Sequence, residues 1–165
     1  MNIFVLDKNP VKAARWAVDR HVSKMPTESA QMLANCFSKE RLAAPDCPRT
    51  KTGETRKHSH FNHPCSKWVR ESRANFLWLA VHALALDEER IARSENKEPN
   101  HSISFVKWAI NHIEESNVPE GELTPFALAM PDIYKTKNPV ESYRNLYREG
   151  KKHLHKWGRN KPNWI

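Results

Sequence analysis

Helix-start signals, combined with apolar residues spaced three or four apart, constrain this chain more than any other feature of the sequence. Asn9-Pro10, Thr124-Pro125 and Asn138-Pro139 each place a capping side chain before a proline. Proline is favoured at the first helical position because the N–H that it lacks has no helical partner there. Strand-like alternation is absent outside a short, extended N-terminal segment at 2–6. The sequence therefore predicts an all-α fold.

We expect about five to six helices, packed orthogonally rather than as a regular bundle. They begin near Pro10, Glu28, Pro64, Ser102 and Pro139, and a short helical turn follows Pro125. The helix from Pro10 is expected to end or bend at Pro26, because an internal proline removes a helical hydrogen bond. The helix from Glu28 reaches about Leu42, and the longest helix, from Pro64 to about residue 90, forms the centre of the core.

Length and composition predict a single compact domain covering 1–165. Six Trp, six Phe and three Tyr provide enough large apolar surface for a core in a chain of 165 residues. A polar loop is expected at 44–62 and a basic, aromatic tail at 158–165. No apolar run approaches the roughly 18 residues that a membrane span requires. Three scattered cysteines without a CxxC pair argue against a disulfide framework, so we expect a cytoplasmic protein with no membrane partner.

The net charge of +8 is distributed unevenly along the chain. Residues 1–84 carry 14 basic and 7 acidic groups, 85–134 carry 4 and 10, and 135–165 carry 9 and 2. This asymmetry indicates a surface for a polyanion, built from the two basic ends, with the acidic middle facing away. The alternative is that the tail is only a solvated basic helix.

One group of polar residues stands out within an otherwise apolar helical pattern. His21, Lys24, Glu28 and Gln31 are spaced three, four and three apart, which places them on one helical face if the chain stays helical through Pro26. Burying such groups is costly unless they are paired. They therefore form either a functional site or a structural ion-pair network.

Potential metal ligands are concentrated at His58, His60, His63 and Cys65. Their spacing matches no standard zinc template, because both a CxxC element and a helical histidine pair are missing. Zinc stays the minor alternative here. We predict no metal and no cofactor, with His63-Pro64 starting a helix and His58 and His60 in a basic loop.

Cations interleaved with aromatic rings suit a nucleic acid, since cations neutralise phosphates and rings stack on exposed bases. Nucleic acid, and DNA in particular, is therefore the predicted partner. The candidate contacts are Arg20, Lys67, Arg70, Arg73, Arg144, Arg148, Lys151, Lys152 and Trp157. Core packing is the competing role for Tyr143, Tyr147 and Trp157, which lie at helical spacing, and Trp164 is expected to dock back onto the domain.

Several stretches resemble known protein families. Residues 19–28, DRHVSKMPTE, resemble the first helix of the small phage pyrimidine-dimer DNA glycosylases, in which a histidine precedes the catalytic glutamate by the same seven positions. His63-Pro64 with Trp68 is similar to a segment of bacterial members of that superfamily. The chain as a whole resembles a family of small uncharacterised proteins of tailed phages, which share four sequence blocks. These blocks are Asp19 to Val22, Asn62 to Pro64, Leu123 to Phe126 and Ala129 to Asp132.

The glycosylase resemblance implies roles for individual residues. Glu28 would stabilise positive charge at the sugar and move protons, His21 would contact the substrate, and Arg20 and Lys24 would bind phosphates. In that family the nucleophile is the α-amine of a small second residue, which forms a Schiff base after methionine removal. Asn2 is too large to favour removal of Met1. The nucleophile is then the amine of Met1 or of Lys24, or water attacks instead.

The leading hypothesis is a DNA-repair or DNA-modification enzyme that cleaves an N-glycosidic bond or exchanges a base, acting on a flipped nucleotide as a hydrolase or lyase. If phage-encoded, it would act in the host cytoplasm. The alternative is a non-catalytic phage accessory protein that binds nucleic acid or a nucleotide-like ligand through the same basic pocket. A structural domain, in which the polar network only fixes the fold, is the third hypothesis.

Overall fold

The structure, a computed structural model, describes residues 1–165 and is all-helical, as the sequence predicts. Its α-helices are α1 (Pro10–Arg15), α2 (Asp19–Ala34), α3 (Lys39–Ala43), α4 (Pro64–Val69), α5 (Arg73–Arg93), α6 (Ile103–Asn111) and α7 (Pro139–Asn145). A π-helical turn at Leu146–Gly150 continues α7. Short 3-10 turns lie at Ile113–Glu115, Asp132–Tyr134 and Lys152–Leu154. No helix forms after Pro125, and residues 2–6 form no strand.

Two of the predicted helices are each divided into shorter ones, because the sequence contains more helix starts than we recognised. Ser72 is the N-cap of α5, where its hydroxyl accepts a hydrogen bond from the Asn75 N–H, and this separates α4 from α5. Ser38 caps α3 in the same way and divides the helix expected at 28–42. Such caps satisfy amides that have no partner inside the helix.

Helix α2 departs from the prediction in the opposite direction. The chain breaks after α1 ends at Arg15, and α2 then continues straight through Pro26. An internal proline costs roughly 3 kcal/mol of helix stability. Pro26 and its neighbour Met25 are both buried, and α2 packs extensively on α5, so tertiary burial offsets this local cost.

The core forms one contiguous cluster around α5, which contacts α1, α2, α4 and α6. The N-terminal segment enters this core, since Ile3, Val5 and Leu6 are almost completely buried. Asn2 anchors the segment: its amide donates to the Ala129 carbonyl, and its side-chain oxygen accepts from the Tyr143 hydroxyl. Met1 is thereby held beside α2.

Part of the acidic middle of the chain pairs with the basic ends instead of facing away from them. Glu89 binds Arg159 of the tail, Glu114 and Glu120 bind Arg73, and Glu115 binds Arg41. Part of the charge asymmetry is therefore neutralised within the fold. None of the helices is long and apolar enough to span a membrane.

Candidate functional site

A cavity of about 350 Å³ lies where the N-terminal segment meets α2 and the turn after α7. Its walls bring together all four residues predicted as catalytic: Met1, His21, Lys24 and Glu28. The remaining lining residues are Asn2, Phe4, Arg20, Met25, Lys151, His153 and Leu154. Gln31, predicted on the same face, instead lines a separate cleft.

Glu28 is the centre of the polar contacts in this cavity. Its Oε2 lies 3.5 Å from the α-amine of Met1 and accepts a hydrogen bond from the Asn2 N–H at 3.1 Å. Its Oε1 lies 3.0 Å from Lys24 Nζ. Partial burial by itself would raise the pKa of Glu28, but the hydrogen bond from Lys24, the charge of the amine and the Asn2 N–H outweigh it. The pKa is therefore lowered, and Glu28 is a carboxylate at neutral pH.

His21 forms the inner wall of the cavity and is only 6% exposed. Its ring stacks on Phe4 at 4.1 Å, and its Nδ1 is 2.6 Å from the Tyr147 hydroxyl oxygen. Burial, helped by the charge of Lys151, lowers the pKa of His21 to about 4. The imidazole is thus neutral at pH 7, and only its Nε2 is left to contact a ligand.

Phe4 has an unusual backbone conformation beside this histidine. Its φ of 44° lies in the left-handed region, which bulky residues rarely occupy. Phe4 is buried and packs edge-on against Tyr147 as well as face-on against His21. Packing of the ring holds this conformation, and the result is a fixed aromatic wall of the cavity that Met1 also lines.

Cations surround the mouth of the cavity. Arg20 is exposed and makes no ion pair, and Lys24 has a 64% exposed side chain despite its contact with Glu28. Lys151 is half-buried, with its Nζ 6.0 Å from the Phe4 ring, and His153 is exposed. The cavity therefore combines an amine and a carboxylate inside with positive charge outside.

Most of the other predicted nucleic-acid contacts are held by internal bonds instead. Arg70 donates to the Ser66 and Phe61 carbonyls, and Arg73 pairs with Glu114. Arg144 donates to the Leu6 carbonyl, Arg148 donates to the Trp164 carbonyl and pairs with Glu141, and Trp157 donates to the Trp16 carbonyl. Lys67 and Lys152 are exposed and without ion pairs.

The histidines and the cysteine of the 58–65 stretch are not arranged around a common point. His58 contacts the Phe37 carbonyl, His60 contacts Ser59, and His63 caps α4 by accepting from the Cys65 N–H. No three His, Cys, Asp or Glu side chains anywhere in the structure are grouped closely enough to hold a metal ion.

Sequence reasoning missed Phe4, Asn2 and His153 as parts of the cavity and assigned Tyr147 to the core. Tyr147 is indeed completely buried, but it also binds His21. A 126-residue separation between these two partners leaves no local signal in the sequence. Comparisons with protein-family models, with curated proteins and with solved structures found no match.

Proposed function

We propose that the protein is a DNA-base-processing enzyme of the N-glycosylase type, with its reactive centre in the cavity around Glu28. The observation that carries this proposal is the α-amine of Met1 at 3.5 Å from a partly buried carboxylate, within a cavity rimmed by cations. An amine next to a carboxylate suits the formation of a cationic sugar intermediate. The cations suit the phosphates on either side of a flipped nucleotide.

The lowered pKa of Glu28 favours one of the two roles considered for this residue. A carboxylate with a low pKa is a poor proton acceptor, yet it keeps its negative charge throughout the reaction. Glu28 therefore stabilises positive charge developing at the sugar, through an electrostatic interaction that is strong in a partly buried site. Proton transfer is then left to other groups or to water.

The chemistry proceeds by displacement at the anomeric carbon. The unprotonated amine of Met1 attacks C1′, and the C1′–N bond breaks with its electron pair passing to the base, which takes up a proton. The C1′–O4′ bond then opens, O4′ is protonated, and the amine nitrogen forms the C=N bond of a Schiff base. Lys24 is the second candidate amine, since it contacts the same carboxylate.

A non-catalytic role has one observation in its favour. His21 is buried, neutral and bound to Tyr147, so most of its polar capacity is used inside the protein. In this alternative, the cavity holds a nucleotide-like ligand or a nucleic-acid phosphate, and Glu28 only neutralises Met1 and Lys24. The two functions differ in whether a covalent intermediate forms.

Borohydride trapping on an oligonucleotide with one abasic site tests the proposal. We expect a reduced adduct that maps to Met1, persists in Lys24→Arg and disappears when the α-amine is acetylated. The mass of the N-terminal peptide must first show that Met1 is present with a free amine. Base release from damaged and undamaged duplexes should fall by at least about 10²-fold in Glu28→Gln.

Glu88→Gln is the matched control, because Glu88 is an exposed carboxylate on α5 without an ion pair. It should leave trapping and base release unchanged. Base release without any adduct would replace the covalent route by water attack assisted by Glu28. Neither adduct nor released base on any substrate would overturn the enzyme proposal and favour the binding role.

A further inference from the structure

A second and larger opening lies on the neighbouring face of α2, and it shares no residue with the cavity around Glu28. This cleft has a volume of about 800 Å³, within the range of small-molecule sites. Thr27 and Gln31 of α2 contribute to it from one side. Residues 50–59 of the polar loop and 96–102 between α5 and α6 contribute from the others.

Arg56 is the unusual residue of this cleft. It lines the cleft, yet it is only 9% exposed and forms no salt bridge with any carboxylate. Its Nε donates to the Pro48 carbonyl and its guanidinium lies 4.4 Å from the Phe105 ring centre, but its Nη2 is buried without a hydrogen-bond partner. Buried charges are normally paired, so this cation lacks an anion.

The other groups of the cleft indicate what kind of anion would fit. Lys51 and Lys57 are exposed cations without ion pairs, and they lie on the same polar loop as Arg56. Only one of the 18 lining residues is hydrophobic, and no Phe, Tyr or Trp is among them. Hydroxyl and amide groups dominate the rest: Thr27, Gln31, Thr50, Thr52, Thr55, Ser59, Asn96, Asn100 and Ser102.

This composition favours a ligand that is both anionic and rich in hydroxyl groups. A flat aromatic base would find no Phe, Tyr or Trp ring to stack on, whereas sugar hydroxyls would find donors and acceptors, including the exposed carboxylates Glu54 and Glu98. A phosphate would supply the missing counter-charge to Arg56 through a charge-assisted contact with the guanidinium.

We propose that this cleft binds a phosphorylated sugar, with its phosphate at Arg56 and Lys51 and its hydroxyls on the Thr, Ser and Asn side chains of the two loops. This site is independent of the proposed glycosylase cavity. Binding would neutralise the charge of Arg56, and the ligand would bridge the polar loop and the connection between α5 and α6.

Titrations with ribose 5-phosphate, inorganic phosphate and unphosphorylated ribose test this proposal. We expect ribose 5-phosphate to bind best, phosphate to bind more weakly and to compete with it, and ribose to bind at least tenfold more weakly than ribose 5-phosphate. The Nε–Hε NMR signal of Arg56 should shift with ribose 5-phosphate and with phosphate. Arg56→Met should weaken binding of ribose 5-phosphate by tenfold or more, as loss of a charge-assisted contact predicts.

Lys51→Ala provides a second variant that does not depend on the folding of Arg56→Met, because Lys51 is exposed and makes no ion pair. It should weaken binding severalfold. Lys107→Ala, at an exposed lysine of α6 outside the cleft, is its matched control and should have no effect. Glu28→Gln should also leave ribose 5-phosphate binding unchanged.

Four results would overturn the proposal. The first is a ribose 5-phosphate affinity that equals that of ribose, and the second is an equal loss of affinity in Lys51→Ala and Lys107→Ala. The third is an Arg56 signal that does not move at saturating ribose 5-phosphate. The fourth is an oligonucleotide that displaces phosphate from Arg56 while ribose 5-phosphate cannot, which would make the cleft a nucleic-acid contact instead.

Discussion

Glu28 and Glu89 are both largely buried carboxylates that bind several nitrogens, yet their surroundings differ. Glu89, with a side chain 3% exposed, accepts from Arg93 at 3.1 Å and from Arg159 at 2.9 Å, which ties α5 to the tail. Glu28, 12% exposed, instead contacts two amines and an amide at the wall of a cavity. Guanidinium–carboxylate pairs in fixed geometry suit a role in holding two segments together, whereas amines beside a cavity suit a role in binding or catalysis.

Removing the charge at Glu89 and at Glu28 should give the largest difference between a structural and a functional carboxylate. Glu89→Gln removes one of the two carboxylates that pair with Arg93, itself 4% exposed, and leaves Asp19 as the other. It also removes the charged partner of Arg159, so the free energy of unfolding should fall by about 2–3 kcal/mol. Glu28→Gln should cost only about 1 kcal/mol, because Lys24 stays in contact with solvent. Urea unfolding of both variants measures the difference, and similar losses would mean that Glu28 is structural too.

The two buried histidines, His21 and His82, should differ in how they lower the stability of the protein in acid. Burial lowers the pKa of His82 to about 3, and both of its ring nitrogens lack partners beside Trp78. The unfolded chain takes up a proton near pH 6.5 and the folded protein does not, so stability is complete above pH 6.5 and falls as pH drops toward 3. Each histidine changes the free energy of unfolding by at most about 1.4 kcal/mol per pH unit.

His82→Phe should therefore flatten the decline of the melting temperature between pH 6.5 and pH 3 without affecting activity. His21→Phe should flatten it only down to about pH 4, where the folded-state pKa of His21 lies. Melting curves across this pH range measure both effects. A decline that His82→Phe leaves as steep as before would assign the acid sensitivity to the carboxylates.

A cation that lines the cavity and a cation held by internal contacts should differ least in their effects, and Lys151 and Arg148 form a matched pair for this comparison. Lys151 lines the cavity, whereas Arg148, three residues earlier, is occupied by Trp164 and Glu141. Lys151→Ala should lower DNA affinity severalfold and reduce the slope of log affinity against log salt by about 1. Arg148→Ala should leave the slope unchanged and lower stability.

Fluorescence anisotropy with labelled duplex and single strands over a salt series measures these slopes. If six or more phosphates are contacted, affinity should fall by roughly 10³-fold between low and physiological salt. Equal slopes for the two variants would mean that Arg148 takes part in binding after its internal contacts are released. Binding that is absent at low salt would contradict both the enzyme and the nucleic-acid roles.

The sequence by itself determined the helical class, since apolar spacing and capping residues are local signals. The spacing of His21, Lys24 and Glu28 by three and four places them on one face only if the helix continues through Pro26. Local sequence signals could not predict that α2 continues through Pro26. Local propensity opposes it, and only the burial of α2 against α5 decides it.

Apart from Lys24, which lies one helical turn away on α2, tertiary structure decided which groups meet Glu28. Met1 reaches it because residues 3–6 are buried in the core and because Asn2 is bound by Ala129 and Tyr143, more than a hundred residues away. Tertiary structure likewise decided that Tyr147 binds His21. It also decided that Arg56 is buried without a partner for its Nη2, although its sequence predicts a solvated polar loop. Such contacts depend on how distant segments pack, and packing between distant segments leaves no periodicity in the sequence from which to predict them.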